Sequence, residues 1–348
     1  MRTNHLALAI AVLLAALGTG CSHIGPGTIR RDRFDYGAAV GDSWKRETLL
    51  NIIKLRYADT PVFVEVSQII NQYELKGEVR LTAEFADKDK NTIGGTGSYI
   101  DRPTITYKPL VGTSYTRSLL TPVEPLSLVY LMRSGWQVDL LLRTCVSSIN
   151  GLSNRTNRVQ RPATLPQFYE VLEILERVQG SGLVGMRTAK RDDRQEALLF
   201  FRQPTDDAVE ADLVRLKELL GLNPEANEFE IVFGNMAEND RQIALLTRSV
   251  LEIMLQFSGE VEVPPKHAAE GRVFPGLSED VDRLLRVHSG REAPSSAFAK
   301  VHYRGYVFWI DDRDFVSKRY FLFLNILFSL VETGVKGGGA VLTVSAGG

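Results

Sequence analysis

The fold is decided by residues 164–234, which begin with TLPQFYEVLEILERVQG (164–180). Thr164 and Gln167 have the spacing of a capping box, and apolar residues recur three and four positions apart as far as Gly180, which predicts a helix. Two apolar runs, a second helical pattern and a third apolar run follow, so we predict an α-β-β-α-β unit. Its later elements are strands LVGMR (183–187) and EALLFF (196–201), a helix from the N-cap Thr205 to Gly221, and strand FEIVF (229–233).

The same order of patterns recurs towards the C-terminus. A helix is predicted from the N-cap Asp240 to Gly259, and another from Asp312 or Asp314 to about Val331. Between them FAKVHY (298–303) and YVFWI (306–310) form a hairpin around Arg304-Gly305, and the chain ends in the strand AVLTVSA (340–346). We therefore predict two tandem units, 164–236 and 237–348, of which the second carries an insertion over 260–296 with a short helix near 278–288.

Mixed patterns also precede these units. A helix is predicted to start with Asp42 or Ser43 as N-cap, and a mostly helical section runs over 126–149. Strands are expected at 62–66, at 78–85 and through 105–110, with a turn over 87–95. The fold class is therefore α+β, with an N-terminal α+β domain over 32–152 and a basic linker over 153–163.

The first 21 residues, MRTNHLALAIAVLLAALGTGC, indicate where the protein resides. Arg2 and the uncharged run 6–17 are typical of a signal peptide, because twelve apolar residues are too few to span a bilayer. The pattern resembles a bacterial lipoprotein signal, which implies removal of residues 1–20, acylation of Cys21 and a tether over 21–31. Ordinary secretory cleavage near Gly20 is the alternative. Ser22 resembles the residue that permits transfer to the outer membrane.

Composition excludes several classes of function. Without 1–20, where Arg2 is the only charged residue, the chain has 40 basic and 42 acidic residues, so we expect no nucleic-acid partner. Cys145 is then the single remaining thiol and is predicted to be a buried apolar residue. Motifs for a metal or another cofactor are missing from the sequence, and we expect neither.

Two resemblances extend this interpretation. The order α-β-β-α-β resembles the ring-building motif of subunits in bacterial secretion and sporulation assemblies. Separately, GDSWKRETLLNIIKLRYAD (41–59) and YRGYVFWIDDRDFVSKRYF (303–321) resemble segments of a family of proteobacterial lipoproteins, a likeness that spans most of the chain. This second resemblance implies an envelope location and supplies no activity.

Two places suggest a hydrolase acting on an envelope polymer or lipid ester. Gly41-Asp42-Ser43 resembles the block that carries the nucleophile of SGNH-type hydrolases, but no buried strand precedes it and helix capping explains it. His302 could join Asp311 and the nearby Asp312 and Asp314 in a metal or acid/base cluster. Carboxylates at the start of a helix explain the aspartates without any catalytic role.

The interpretation we favour is a non-enzymatic scaffold or accessory subunit of a cell-envelope assembly. The protein would be held at the outer membrane by its lipid anchor, face the periplasm, and bind envelope proteins or a second copy of itself. A lipid or small-molecule carrier is a further alternative. We predict that the aromatic hairpin and the apolar helix after it form the interaction surface, with Tyr303, Tyr306, Phe308, Trp309, Phe315, Tyr320 and Phe323.

Overall fold

The α+β class is confirmed by the structure, a computed structural model of the chain. It describes residues 24–70, 73–83, 91–101, 103–110, 112–154, 165–191, 194–203, 206–273, 283–332 and 342–345. The signal sequence with Cys21, the linker 155–163 and the capping residues Thr164 and Thr205 lie outside the described residues. No helix within these ranges is long and apolar enough to cross a bilayer.

Helices and strands alternate irregularly along the chain. The helices are α1 Ile24–Arg56, α2 Thr113–Leu120, α3 Pro125–Arg133, α4 Val138–Cys145, α5 Leu165–Gly180, α6 Asp207–Leu220, α7 Val250–Ser258, α8 Pro265–Ala269 and α9 Phe315–Glu332. The strands are β1 Val64–Ile70, β2 Tyr73–Ala83, β3 Asn91–Asp101, β4 Thr104–Pro109, β5 Val146–Ile149, β6 Leu152–Ser153, β7 Val184–Arg191, β8 Arg194–Phe201, β9 Glu228–Phe233, β10 Gln242–Thr247, β11 His288–Gly290, β12 Ala297–Tyr303, β13 Tyr306–Asp311 and β14 Leu342–Ser345.

The predicted first unit is present in its predicted order, α5-β7-β8-α6-β9. Its strands belong to a six-stranded sheet of order β6-β5-β10-β9-β8-β7. Asp206, one residue after the predicted cap, accepts the Ala208 N–H at 2.9 Å and starts α6. Gly221 ends α6 with a φ of 63°, which a residue without Cβ adopts at little cost.

The helix predicted from Asp240 to Gly259 is wrong over its first half. Residues 242–247 form β10, which pairs parallel with β9 and antiparallel with β5 at the centre of the six-stranded sheet. The true helix start is Ser249, which forms a capping box with Glu252 and precedes α7. Buried Ile243 and Leu245 fit either a central strand or a helix, so the pattern alone did not distinguish them.

The predicted N-cap at Asp42 or Ser43 is also wrong. α1 is already helical from Ile24, inside the segment predicted as a tether, and it continues through both residues. Asp42 lies on the exposed surface of the helix, where Lys45 donates to its carboxylate at 2.9 Å. Polar side chains on the exposed surface of a helix can hydrogen-bond to neighbouring side chains or to water. Asp42 and Ser43 therefore do not have to act as N-caps.

The N-terminal strands form one long antiparallel hairpin. β1 pairs with β4, and β2 pairs with β3 in the same register, since Ile70 lies opposite Thr104 and Tyr73 opposite Asp101. The strand β3 begins at Asn91, so the predicted turn over 87–95 is wrong from that residue onward. β14 pairs with the outer edge of β4, and β2 with β3 makes a separate two-stranded sheet, which we call the ribbon.

The second predicted unit is distributed over different parts of the fold. The hairpin β12-β13 forms as predicted around Arg304 and Gly305, whose φ values are 47° and 82°, and Asp314 caps α9 through the Ser317 N–H at 3.0 Å. The final strand, however, joins β4. Within the insertion, β11 pairs with β13, and 283–288 contains no helix, in contrast to the prediction. The section predicted as helical over 126–149 ends in β5.

The core joins the two ends of the chain. Helix α1 packs against β12 and α7, while α9 packs against α2 and α7. Thr48 on α1 donates a hydrogen bond to Asn325 on α9 at 2.9 Å. Segments that the sequence assigned to separate domains therefore share one hydrophobic core.

Serines 43 and 249 provide a matched test of these helix boundaries. We expect Ser249→Ala to lower the free energy of unfolding by about 0.5–2 kcal/mol, because the N-cap bond to Glu252 is lost. Ser43→Ala should change it by less than about 0.5 kcal/mol, because the serine is exposed within α1 and alanine is a good helix former. Urea titrations of both variants measure the difference, and equal losses would contradict these boundaries.

Candidate interaction surface

Three of the seven predicted surface residues lie in the core. Phe308, Tyr320 and Phe323 are at most 2% exposed. The Phe323 ring lies 5.1 Å from Trp136, and the Tyr320 ring 6.4 Å from Phe257 on α7. The second apolar face of α9 is thus covered from within the chain, by α7 and by residues of the N-terminal half.

One strip of α9 remains exposed. Phe315 is 69% exposed, and Val316 and Leu322, which the sequence analysis did not select, are 55% and 53% exposed. Phe315 and Leu322 are two helical turns apart, which places them on the same side of α9. The seven-residue spacing of Phe315 and Leu322 is visible in the sequence. Because apolar residues occur all around this helix, the sequence pattern does not show which side is exposed.

The remaining predicted aromatics are half-buried. Trp309 stacks on His288 with ring centroids 5.5 Å apart. Tyr303 and Tyr306 pack against the core and, with Tyr57 and His267, form a group that we call the aromatic junction. This junction connects the end of α1 to α8 and to the turn of the β12-β13 hairpin.

The aromatic junction contains a buried hydrogen bond. Tyr57 Oη lies 2.7 Å from His267 Nδ1. Burial lowers the pKa of His267, and the neighbouring Arg272 lowers it further, which favours the neutral imidazole. Burial also raises the pKa of Tyr57 to about 12. Tyr57 and His267 are at most 6% exposed, so a substrate cannot reach their side chains. We therefore interpret the pair as a packing contact.

The rim of the aromatic junction is charged. Tyr303 Oη donates to Asp59 Oδ2 at 2.7 Å, and this bond is the main cause of the lowered pKa of Asp59. Arg304 lies 3.6 Å from the same carboxylate, and its guanidinium stacks near the rings of Tyr57 and Tyr303. The hairpin turn is therefore held against the C-terminal end of α1.

The residues proposed for a hydrolase are not brought together. Ser43 lies within the long helix α1, whereas a nucleophile of the SGNH type needs a strand directly before it. Asp311 binds Arg313, which keeps the pKa of this carboxyl well below its usual range, and Asp312 binds Lys318 at 2.7 Å. His302 is exposed on β12. Across the described ranges, no three metal-ligating side chains cluster.

The pockets of the described residues differ in kind. An apolar cavity of about 40 Å³ lies between the six-stranded sheet and its helices, lined by residues such as Leu142, Leu199 and Ile231. It is far smaller than the 300 Å³ or more of an ordinary ligand pocket. An open groove of about 480 Å³ lies along β7 to β9, and the ion pair between Arg187 and Glu228 crosses it. The apolar cavity beside Leu142 is therefore too small for a lipid chain.

The ribbon has no extensive contact with any other described element. Its two strands, β2 and β3, each contain eleven residues and make extensive contacts only with each other among the described elements. At about 3.3 Å per residue the ribbon is roughly 36 Å long. A two-stranded sheet of this kind is marginally stable alone, so its open edges are candidate contacts for a partner.

Comparison with known proteins finds no matching family model, no similar curated protein and no similar solved structure.

Phenylalanines on opposite sides of α9 test which side is buried. We expect Phe323→Ala to lower the free energy of unfolding by about 3–5 kcal/mol, because it leaves a cavity beside Trp136. Phe315→Ala, on the exposed strip, should change it by less than about 0.5 kcal/mol. Thermal and urea unfolding of the two variants provide the measurement. A small effect of Phe323→Ala would show that this side of α9 is not buried in the core.

Glu260, at the end of α7, is expected to make stability depend on pH. Burial raises its pKa to about 7, although its carboxylate accepts the Leu285 N–H at 2.8 Å. The folded chain then retains a proton that the unfolded chain loses near pH 4.5. Stability should fall as the pH rises from about 4.5 to 7, by up to about 3 kcal/mol, and stay level above that.

Glu260→Gln keeps an oxygen that can accept the Leu285 N–H but cannot ionise. We expect the variant to lose this pH dependence, as measured by urea unfolding at several values between pH 4.5 and pH 8. An unchanged slope in the variant would assign the dependence to another group. Glu262→Gln, which changes the half-buried neighbour of His288, is the matched control.

Proposed function

We propose that the protein is an outer-membrane lipoprotein, anchored through Cys21 and facing the periplasm, that serves as a non-enzymatic scaffold or accessory subunit of a cell-envelope assembly. The observation that carries this proposal is the ribbon, since its strand edges lack partners within the described chain. The exposed strip of Phe315, Val316 and Leu322 on α9 adds a second apolar contact surface. An assembly subunit needs such surfaces, and an enzyme would need a titratable pocket instead.

Helix α1 supports the anchored arrangement. Its described part runs from Ile24, three residues after Cys21, and none of the side chains from Asp32 to Glu47 is buried. Burial begins at Thr48, where the helix enters the core. The 24 helical residues before Thr48 would therefore hold the folded body about 36 Å from an acyl chain on Cys21.

The two cysteines allow a matched test of the anchor. Cys21→Ala should abolish labelling by a fatty-acid probe and leave unprocessed precursor in the inner membrane, because the acceptor thiol is lost. Cys145→Ala should leave labelling unchanged, because Cys145 is buried and its burial raises the thiol pKa to about 12. Labelling and membrane fractionation are the measurements, and persistent labelling of the Cys21 variant would overturn the anchor.

The assembly role has its own test. Crosslinking in native envelopes should place the wild-type protein in discrete species larger than the monomer. Deleting the ribbon from Tyr73 to Asp101 should remove those species while leaving fatty-acid labelling intact. A protein that remains monomeric in its envelope, or a hydrolase activity lost in folded Ser43→Ala, would overturn the scaffold proposal.

A further inference from the structure

The two edges of the ribbon differ in what lies beside them. On one side the hairpin arm continues from β3 into β4, and β14 covers β4 from Thr104 to Tyr107. On the other side β2 continues β1, and no strand of the described chain pairs with the outer edge of either. The backbone N–H and C=O groups of this edge are therefore available to a further strand.

The sequence of β2 is complementary to itself. Glu74, Lys76, Glu78 and Arg80 occupy alternate positions of the strand, and their charges alternate in sign. Consider two antiparallel copies of β2 related by a twofold axis at Gly77. Glu74 of each copy then lies opposite Arg80 of the other, and Lys76 lies opposite Glu78.

The intervening positions match equally well. In the same register Leu75 lies opposite Val79, Tyr73 lies opposite Leu81, and Gly77 lies opposite itself. Opposite charges and apolar pairs directly across an antiparallel ladder both stabilise a sheet, and like charges destabilise it. A shift by two residues would instead place like charges opposite each other, at Lys76 and Arg80, so the charge pattern selects this register.

We propose that β2 of one molecule pairs antiparallel with β2 of a second copy of this chain, around a twofold axis at Gly77. The pairing joins the two ribbons into a four-stranded sheet of order β3-β2-β2-β3. Such an isologous contact uses the same surface on both copies and closes after two molecules. It covers an edge that the described residues of a single copy leave unpaired.

The other edge of the ribbon fits a second copy less well. Strand β3 contains Gly94, Gly95 and Gly97, and Asp101 is its single charged residue. A head-to-tail contact between β3 of one copy and β2 of the next would leave most charges of β2 without an opposite charge. Glycines also weaken strand pairing. The composition therefore favours the contact between two β2 strands.

This inference rests on the proposed scaffold function and makes it more specific. It identifies the first partner of the scaffold as a second copy of the same chain. Anchoring both copies at one membrane surface would raise their effective concentration. The charge pattern of β2 does not depend on the anchor, so the two claims can fail separately.

Charge reversal provides the experiment, with the full-length protein purified in detergent. Glu74→Lys with Glu78→Lys makes β2 uniformly positive, and Lys76→Glu with Arg80→Glu makes it uniformly negative. Each double variant alone should self-associate at least roughly tenfold more weakly than wild type, because four pairs become repulsive. The two variants mixed, and the variant with all four reversals, should associate like wild type.

Analytical ultracentrifugation measures the association, and melting curves check the fold. The midpoints should be unchanged, since among the described elements the ribbon strands make extensive contacts only with each other. A monomeric wild type, or a dimer that is indifferent to both reversals, would overturn the proposal. Association of each double variant through the head-to-tail contact would also overturn it. Fatty-acid labelling is read in parallel, so a failure of the anchor remains distinguishable.

Cysteine crosslinking tests the register independently. In the proposed dimer the two Gly77 residues lie directly opposite, at a Cα separation of about 5 Å that suits a disulfide. Gly77→Cys should therefore form a crosslinked dimer under mild oxidation. Thr82→Cys, on the same strand, should not, because its two copies would lie about 33 Å apart. Crosslinking of both variants, or of neither, contradicts the register; the wild type provides the background from its own thiols.

Discussion

The rest of the structure depends on the burial of the last turns of helix α1 among elements from the far end of the chain. Leu49, Ile52 and Ile53 have no exposed surface, and the elements around them include α7 and β12. Two polar contacts fix the helix in place, from Thr48 to Asn325 and from Tyr57 to His267, each at less than 3 Å. Apolar burial provides the stabilisation, and these bonds satisfy the polar groups that burial removes from water.

The same hydrophobic core continues into the middle of the chain, where it includes Leu199, Leu216 and Phe229. The six-stranded sheet meets the core at Arg248, which is only 7% exposed. Its guanidinium donates to the carbonyl oxygens of Arg143, Thr144 and Asn154 at 2.9–3.1 Å. Directly before it β10 ends in the sheet, and directly after it Ser249 starts α7. This buried cation therefore joins the end of β10 to the end of α4 and to the loop residue Asn154.

The features that we assign to function extend from this joined core. The first part of α1 is exposed and would connect the body to the proposed anchor, while the ribbon extends the β1-β4 hairpin beyond the sheet that β14 completes. The exposed part of α1 is therefore available for contacts outside the core, and the ribbon strands make extensive contacts only with each other among the described elements. The aromatic hairpin, in contrast, packs against the end of α1, where Tyr303 donates a hydrogen bond to Asp59.

The sequence by itself determined the local elements wherever one residue pattern had one structural solution. The spacing of 164–234 predicted α5 to β9, and Arg304-Gly305 predicted its hairpin, because helix periodicity and turn conformation are local properties. The tertiary structure alone decided which of several compatible solutions was used. Residues 242–247 became a strand because β5 and β9 offered edges on both sides. The all-round apolar pattern of α9 was consistent with a partner protein or a central core, and packing against α2, α7 and Trp136 decided for the core. Contacts between residues hundreds of positions apart leave no periodic signal in the sequence, so the pattern could not reveal them.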